Sequence, residues 1–231
     1  MYICTIIIPL QREILLDPSF HNRELFYFME RRVNVYIDGF NFYYGLKSKY
    51  WKKYYWLDIV AFYELFMKEG QILNKVYYFT AVPFDTGQRK RQSLFLTANR
   101  DNPKFEVVYG KFLKKEIHHK GNIIHTFEEK QTDVNIAVNL IRNVVLNNCE
   151  TSIIVSADSD LVPPINLVKE LNTKHKLFFH FPPKRHSVNL QQLSDGIINL
   201  ERYESRFKKC LLPDVVNLSN GYTINKPPSW V

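Results

Sequence analysis

The chain has few cysteines and no long apolar segment. Only three cysteines occur among its 231 residues, and their spacing fits neither a zinc site nor the disulfide framework of a small secreted protein. No apolar run approaches the roughly 20 residues that a membrane-spanning helix requires. The apolar stretch at residues 3–10 has no basic residue before it, so it is a poor signal peptide. These absences predict a cytoplasmic protein that does not enter a membrane.

The overall composition predicts a folded, basic protein. A hydrophobic content of 45%, with 17 Phe and 14 Tyr, excludes intrinsic disorder, and the length suits one compact domain. The formal charge of +8 favours an anionic partner, because basic proteins release counterions when they neutralise phosphates. We divide the chain into an extension at residues 1–28, a domain at 29–205, and a C-terminal hairpin and tail at 206–231.

Segments of strand and helix character alternate along the domain. Strand patterns occur at residues 33–37, 76–80, 105–109, 153–156 and 177–180. Helix patterns occur at residues 57–68, 88–99, 132–146 and 160–171, and hairpins are predicted at 111–128 and 215–224. This alternation predicts an α/β fold with a mainly parallel sheet that has helices on both faces.

Four aspartates are predicted to meet at one edge of that sheet. Asp38 follows the first strand directly, and Asp158 follows the fourth strand, so both lie where parallel strands end. Asp133 begins the helix that leads back into the fourth strand, which places it at the same edge. Asp160 begins the next helix. Each residue also has a simpler explanation, since Asp38 suits a turn and Asp133 and Asp160 suit helix caps.

A group of carboxylates has one common chemical use. Like charges raise each other's pKa unless a cation compensates them, and oxygen ligands select Mg²⁺ or Mn²⁺. Such an ion activates water for attack on a phosphodiester. We expect Asp38 and Asp158 to be the principal ligands, with Asp133 and Asp160 completing the site. Asn41 and Ser156 are candidates to hydrogen-bond a carboxylate or a phosphate.

Three motifs together resemble the NYN domain family, relatives of the PIN-domain nucleases, and its bacterial branch once catalogued as a domain of unknown function. They are VNVYIDGFN at residues 33–41, KQTD at 130–133 and SADSDLVP at 156–163. The resemblance runs from about Val33 to about Leu200. It implies a PIN-like three-layer α/β/α sandwich and a ribonuclease that depends on Mg²⁺ or Mn²⁺, with Asp38, Asp133, Asp158 and Asp160 as its acidic site.

The resemblance also adds two supporting positions. Lys130 matches a basic residue before the helix acid, where it would meet a phosphate or anchor a carboxylate. Asp195, in the sequence SDGII at residues 194–198, matches the last motif of the family, an acid ahead of an edge strand.

A basic and aromatic segment follows the first motif and is a candidate surface for RNA, single-stranded rather than duplex. Aromatic faces stack unpaired bases while lysines follow phosphates. The candidate residues are Lys47, Lys49, Lys52, Lys53, Tyr43 and Trp51. The competing interpretation is that the aromatic side chains only cover the core.

Two other functions remain open at this point. A phosphatase of the haloacid-dehalogenase type would have a second aspartate two residues after the first, where this chain has Phe40. A regulatory protein of the same fold would bind RNA or a nucleotide without cutting it, and the sequence does not separate that possibility from a nuclease.

Overall fold

The computed structural model describes residues 30–119 and 122–230, so the predicted extension at 1–28 and the turn of the first hairpin lie outside the described residues. The strands are β1 (Arg31–Asp38), β2 (Gln71–Thr80), β3 (Phe105–Tyr109), β4 (Lys111–His119), β5 (Asn122–Lys130), β6 (Thr151–Val155), β7 (Lys176–Phe181), β8 (Gly196–Asn199), β9 (Val215–Asn217) and β10 (Thr223–Asn225). The α-helices are α1 (Gly39–Ser48), α2 (Ile59–Glu64), α3 (Thr86–Arg100), α4 (Thr132–Val145), α5 (Val162–Leu171), α6 (Val188–Gln192) and α7 (Glu204–Lys209).

A parallel six-stranded sheet forms the centre of the described residues. Its strand order is β3-β2-β1-β6-β7-β8, and every neighbouring pair is parallel. β1 therefore lies beside β6 in the middle of the sheet, and β8 is an edge strand. The predicted α/β fold is confirmed, and all five predicted strands form.

Helices cover both faces of the sheet, because β1 buries side chains on each face. Val33, Val35 and Ile37 pack into one hydrophobic cluster, which includes residues of α1, α2, α3 and α7. Tyr36 packs into the other cluster, which includes residues of α4, α5 and α6. Two buried faces explain the near-continuous apolar character of the central strands.

Both predicted hairpins form, and each is separate from the main sheet. β4 and β5 pair antiparallel between β3 and α4, with Phe112 opposite Glu129 at the base of the hairpin. β9 and β10 pair antiparallel near the C-terminus, and Gly221 in their turn has a φ of 85°. Glycine tolerates this left-handed conformation without the steric penalty of a side chain.

The C-terminal segment belongs to the core, and its prediction as a tail outside the domain is wrong. Residues 228–230 form a 3₁₀ turn, and Trp230 is only 9% exposed. Its ring lies 5.6 Å from that of Tyr55 and 6.2 Å from that of Trp56. The predicted boundary after residue 205 falls inside α7. Side chains from residues 206–230 also belong to the hydrophobic cluster of the preceding domain.

None of the helices among the described residues has both the length and the apolar character needed to span a bilayer.

Trp230 gives a direct test of this packing. Trp230→Ala removes a buried ring, and we expect it to lower the free energy of unfolding by about 3 kcal/mol in urea denaturation. Tyr222→Ala is the control, because that side chain is 73% exposed and its loss costs within about 0.5 kcal/mol. Equal stabilities of the two variants would contradict the packing of the C-terminal segment into the core.

Candidate active site

Asp38 occupies the junction between β1 and α1. Its side chain is 4% exposed, and Oδ1 accepts hydrogen bonds from the backbone N–H of Phe40 at 3.1 Å and of Asn41 at 3.0 Å. It therefore caps α1 as well as ending β1. Burial raises the pKa of the Asp38 carboxyl above its usual value, the hydrogen bonds to it act in the opposite direction, and the charge of Asp158 raises it further.

Ser156 connects Asp38 to the end of β6. The buried Ser156 hydroxyl donates to Oδ2 of Asp38 at 3.0 Å and accepts from the backbone N–H of Asp158 at 3.1 Å. Asn41 forms a second link, because its side-chain oxygen accepts from the backbone N–H of Ala157 at 3.3 Å. The two central strands are thus joined by side chains at their carboxyl ends.

Asp158 and Asp160 form the outer part of the site. The Asp158 side chain accepts from the backbone N–H of Asp160 at 3.0 Å and so caps the 3₁₀ turn at residues 159–161. Asp160 is exposed at the beginning of this turn, ahead of α5. Because Asp158 caps the turn, the predicted alternative that Asp160 is the cap does not describe the geometry.

Asp133 reaches the same edge from the first turn of α4. The chain enters this helix through Gln131, whose φ of 78° is left-handed. The carboxylate of Glu129 caps the helix by accepting from the backbone N–H of Thr132 at 3.0 Å and from the Thr132 hydroxyl. Glu129 thus has the capping role that was the simpler explanation for Asp133. The Asp133 side chain is half-buried.

Negative charge accumulates around Asp133. Burial, which is the largest cause, and the charges of four neighbouring acids together raise its carboxyl pKa to about 6; those neighbours are Asp38, Asp158, Glu129 and Asp160. The four predicted acids therefore act on one another electrostatically, as expected of carboxylates that meet at one edge. Glu129 was missed from the sequence, where the only signal was an acidic residue at a strand end three positions before Thr132.

The donor chemistry of this group fits a hard divalent cation, but the group is not closed. Its side chains offer carboxylate oxygens, which Mg²⁺ and Mn²⁺ prefer, and an ion would compensate the charge that raises the Asp133 pKa. Within residues 30–119 and 122–230, however, no three His, Cys, Asp or Glu side chains are close enough together to hold an ion as they stand.

The two supporting positions occupy different places. Lys130 ends β5 and is exposed, three residues before Asp133. Asp195 lies at the opposite edge of the sheet, because it precedes β8 and accepts from the backbone N–H of Leu177 at 2.9 Å, near the start of β7. Its carboxylate also pairs with Lys176 at 2.9 Å. Asp195 is therefore remote from Asp38, and its prediction as a site residue is not supported by this placement.

The candidate RNA surface divides into exposed and buried parts. Trp51 is 7% exposed and packs edge-on against Phe207, so its prediction as a stacking residue is wrong. Lys53 is held by Glu204 at 3.0 Å. Tyr43 is 40% exposed. Of the other predicted lysines, Lys47 and Lys52 are exposed and Lys49 is half-buried. The amphipathic pattern of the segment gave no way to tell which aromatic ring faces inward.

A parallel α/β sheet with acids at its carboxyl edge defines a PIN-like protein of nuclease-like architecture. Comparison with protein families matches residues 32–201 to the NYN domain, and the chain belongs to that family.

Two similar proteins extend the comparison. The 6-hydroxy-3-succinoylpyridine 3-monooxygenase HspA of Pseudomonas putida is 26% identical over 241 residues, covering 86% of this chain and 75% of that protein. The crystal structure of a Vibrio parahaemolyticus protein of unknown function has a TM-score of 0.48 and 16% identity, covering 74% of this chain and 93% of that one. The monooxygenase activity in the name of HspA is stated of HspA.

The charge around Asp133 predicts an unusual titration. In metal-free protein we expect its carboxyl pKa at about 6, and Asp158→Asn should lower it because one neighbouring charge is removed. NMR titration of the side-chain carboxyl measures both values, with Asp214→Asn as a control whose side chain is 83% exposed.

The same shift sets a direction for stability. Because the folded-state pKa of Asp133 lies above its ordinary value, the folded chain binds the proton more tightly than the unfolded chain does. The contribution of Asp133 to stability is therefore greatest below its ordinary pKa and falls as the pH rises through about 6. An ordinary Asp133 pKa that Asp158→Asn leaves unchanged would contradict this description of the site.

Proposed function

We propose that this protein is a metal-dependent endoribonuclease that hydrolyses phosphodiester bonds with Mg²⁺ or Mn²⁺. The observation that carries the proposal is the accumulation of acidic side chains around Asp133 at the carboxyl edge of the sheet. Parallel α/β sheets bind their ligands at this edge. Membership of the NYN family, with its nuclease-like fold, supports the same reaction class.

Asp38 and Asp158 would be the principal ligands, and Asp133 and Asp160 would complete the site. A bound divalent ion lowers the pKa of its water and stabilises the oxygen that leaves the phosphorus. Ser156 positions Asp38 by donating to Oδ2, and backbone N–H groups at the start of α1 donate to the other carboxylate oxygen. Lys130, close in sequence to Asp133, is suited to a phosphate of the substrate.

Single-stranded RNA is the proposed substrate. The net charge of +8 attracts a polyanion, and the exposed rings of Tyr43 and Tyr44 in α1 are available to stack on unpaired bases. A base-paired duplex presents its bases stacked inside the helix, where such rings do not reach them. We assign this activity to the cytoplasm, in keeping with the sparse cysteines.

One observation favours a second function. The acidic side chains are not gathered into a closed ion site in the described part of the chain. A protein of this fold that binds RNA or a nucleotide without cutting it would not need to close that site. Such a protein would bind RNA equally well with or without divalent ions and would leave it intact.

Substitution of the acids tests the nuclease proposal. Labelled single-stranded RNA should be cut by the parent chain in Mg²⁺ or Mn²⁺, and chelator should stop the reaction. Asp38→Asn and Asp158→Asn should each lower the rate by orders of magnitude, because the amide keeps the shape but removes the charge that holds the cation. Duplex RNA and DNA tested in parallel define the substrate class.

The matched control is Asp214→Asn, since Asp214 lies near the C-terminal hairpin with its side chain 83% exposed. It should cut RNA at the parent rate. Circular dichroism and thermal unfolding of each variant establish that the fold is intact. Parent-rate cleavage by both Asp38→Asn and Asp158→Asn would show that the active site is misassigned, and tight RNA binding without cleavage by the parent would favour the regulatory function.

A further inference from the structure

A cavity of about 150 Å³ opens beside the acidic site. Its walls include Gly39 and Phe40, the two residues that follow Asp38, and Thr80 at the end of β2. α1 and α3 flank the opening. The cavity therefore lies at the same edge of the sheet as the carboxylates.

Most of the cavity wall is aromatic. Tyr43, Tyr55 and Tyr78 line the cavity, and so does Phe112 at the base of the first hairpin. The Phe112 ring meets that of Phe40 edge-on at a centroid distance of 5.6 Å. Tyr43 keeps 40% of its surface exposed, so part of its ring remains open to a ligand.

The polar groups in the wall are suited to a nucleotide. Arg91 and Gln92 of α3 both line the cavity, and within the described residues no acidic side chain does. The Gln92 amide nitrogen donates to the Thr80 hydroxyl at 2.9 Å and to the Ala81 carbonyl at 3.1 Å, which fixes the amide. The amide oxygen is then the acceptor that Gln92 can present to a donor on a base edge, while Arg91 suits a phosphate.

The first hairpin connects the cavity to the acids. Phe112 lines the cavity, and its partner across the hairpin is Glu129, which caps α4 one turn from Asp133. Gly39 is next to Asp38 in the chain and also lies in the cavity wall. It packs closely against the Tyr78 ring there, because a Cβ at this position would lie 2.7 Å from that ring. A ligand in the cavity would thus be held next to the carboxylates by elements that also position them.

We propose that this cavity binds one unpaired base of single-stranded RNA, a pyrimidine in preference to a purine, beside the phosphate that the acidic site acts on. The volume sets the preference, because about 150 Å³ matches a single six-membered ring such as benzene. A pyrimidine is one such ring, whereas a purine is a fused pair. This inference rests on RNA being the substrate of the proposed function and adds its base preference.

The affinity for RNA tests the cavity without requiring cleavage. We would measure fluorescence anisotropy of labelled oligouridylate and oligoadenylate of equal length, in chelator so that neither is cut. The parent chain should bind oligouridylate more tightly. Tyr43→Ala should weaken oligouridylate binding about 5- to 150-fold, the loss expected for one base stacked on an aromatic ring.

Two variants control for the ring. Tyr43→Phe keeps the aromatic face and should bind oligouridylate close to the parent value. Tyr222→Ala removes a tyrosine that is 73% exposed and far along the chain, and it should also bind like the parent. Tighter binding of oligoadenylate by the parent, or an equal effect of Tyr43→Ala and Tyr222→Ala, would overturn the proposal.

Arg91 is tested separately, through the salt dependence of binding. Arg91→Ala should weaken both RNAs alike and reduce the slope of log affinity against log salt by about 1, as loss of one phosphate contact does. The control is Arg202→Ala, an exposed arginine outside the cavity. Equal slopes for the Arg91 and Arg202 variants would remove Arg91 from the base site.

Cleavage assays on the same two RNAs separate this inference from the proposed nuclease. If the parent binds oligouridylate through Tyr43 but cuts neither RNA in Mg²⁺ or Mn²⁺, the base site stands and the nuclease does not. If it cuts both RNAs equally and Tyr43→Ala changes nothing, the nuclease stands and the base site is overturned.

Discussion

Asp38 carries a buried carboxylate that three hydrogen bonds hold at the meeting point of β1, α1 and the end of β6. Two come from the backbone at the start of α1, and the third comes from the Ser156 hydroxyl. A buried carboxylate without such partners would cost several kcal/mol, so these contacts fix its position. The beginning of α1 and the register of the two central strands at this edge both follow from that constraint.

The balance of these effects is different at Asp133. There, burial and neighbouring charges raise the carboxyl pKa to about 6. Hydrogen bonds offset part of the effect of burial on the Asp38 pKa, which stays raised, whereas Asp133 lies among several like charges that a cation would neutralise. Hydrogen bonds thus hold the site in place at Asp38, where the strands are connected. At Asp133, in the first turn of α4, negative charge accumulates instead. This difference is the basis of our proposal that a divalent ion binds at this edge.

The first hairpin gives the site its second component. Paired across its base, Phe112 faces the aromatic cavity and Glu129 caps the helix that carries Asp133. One small element therefore borders both the cavity that we propose as a base site and the place where charge accumulates. A nuclease needs both features at once, because positioning the substrate and stabilising charge at the phosphorus contribute together to the rate.

Local patterns in the amino-acid sequence were enough to predict the fold class, the main strands and a common sheet edge for the acids. Strand and helix periodicities are local, and the carboxyl ends of neighbouring parallel strands must share an edge. Tertiary structure alone decided which side chains face inward. Trp51 and Trp230 are core residues, while Val134 and Val138 of α4 are exposed, because burial depends on which elements pack against a segment. It also decided that Asp195 lies at the far edge and that Glu129 joins the acids, since both outcomes depend on where distant strands pair.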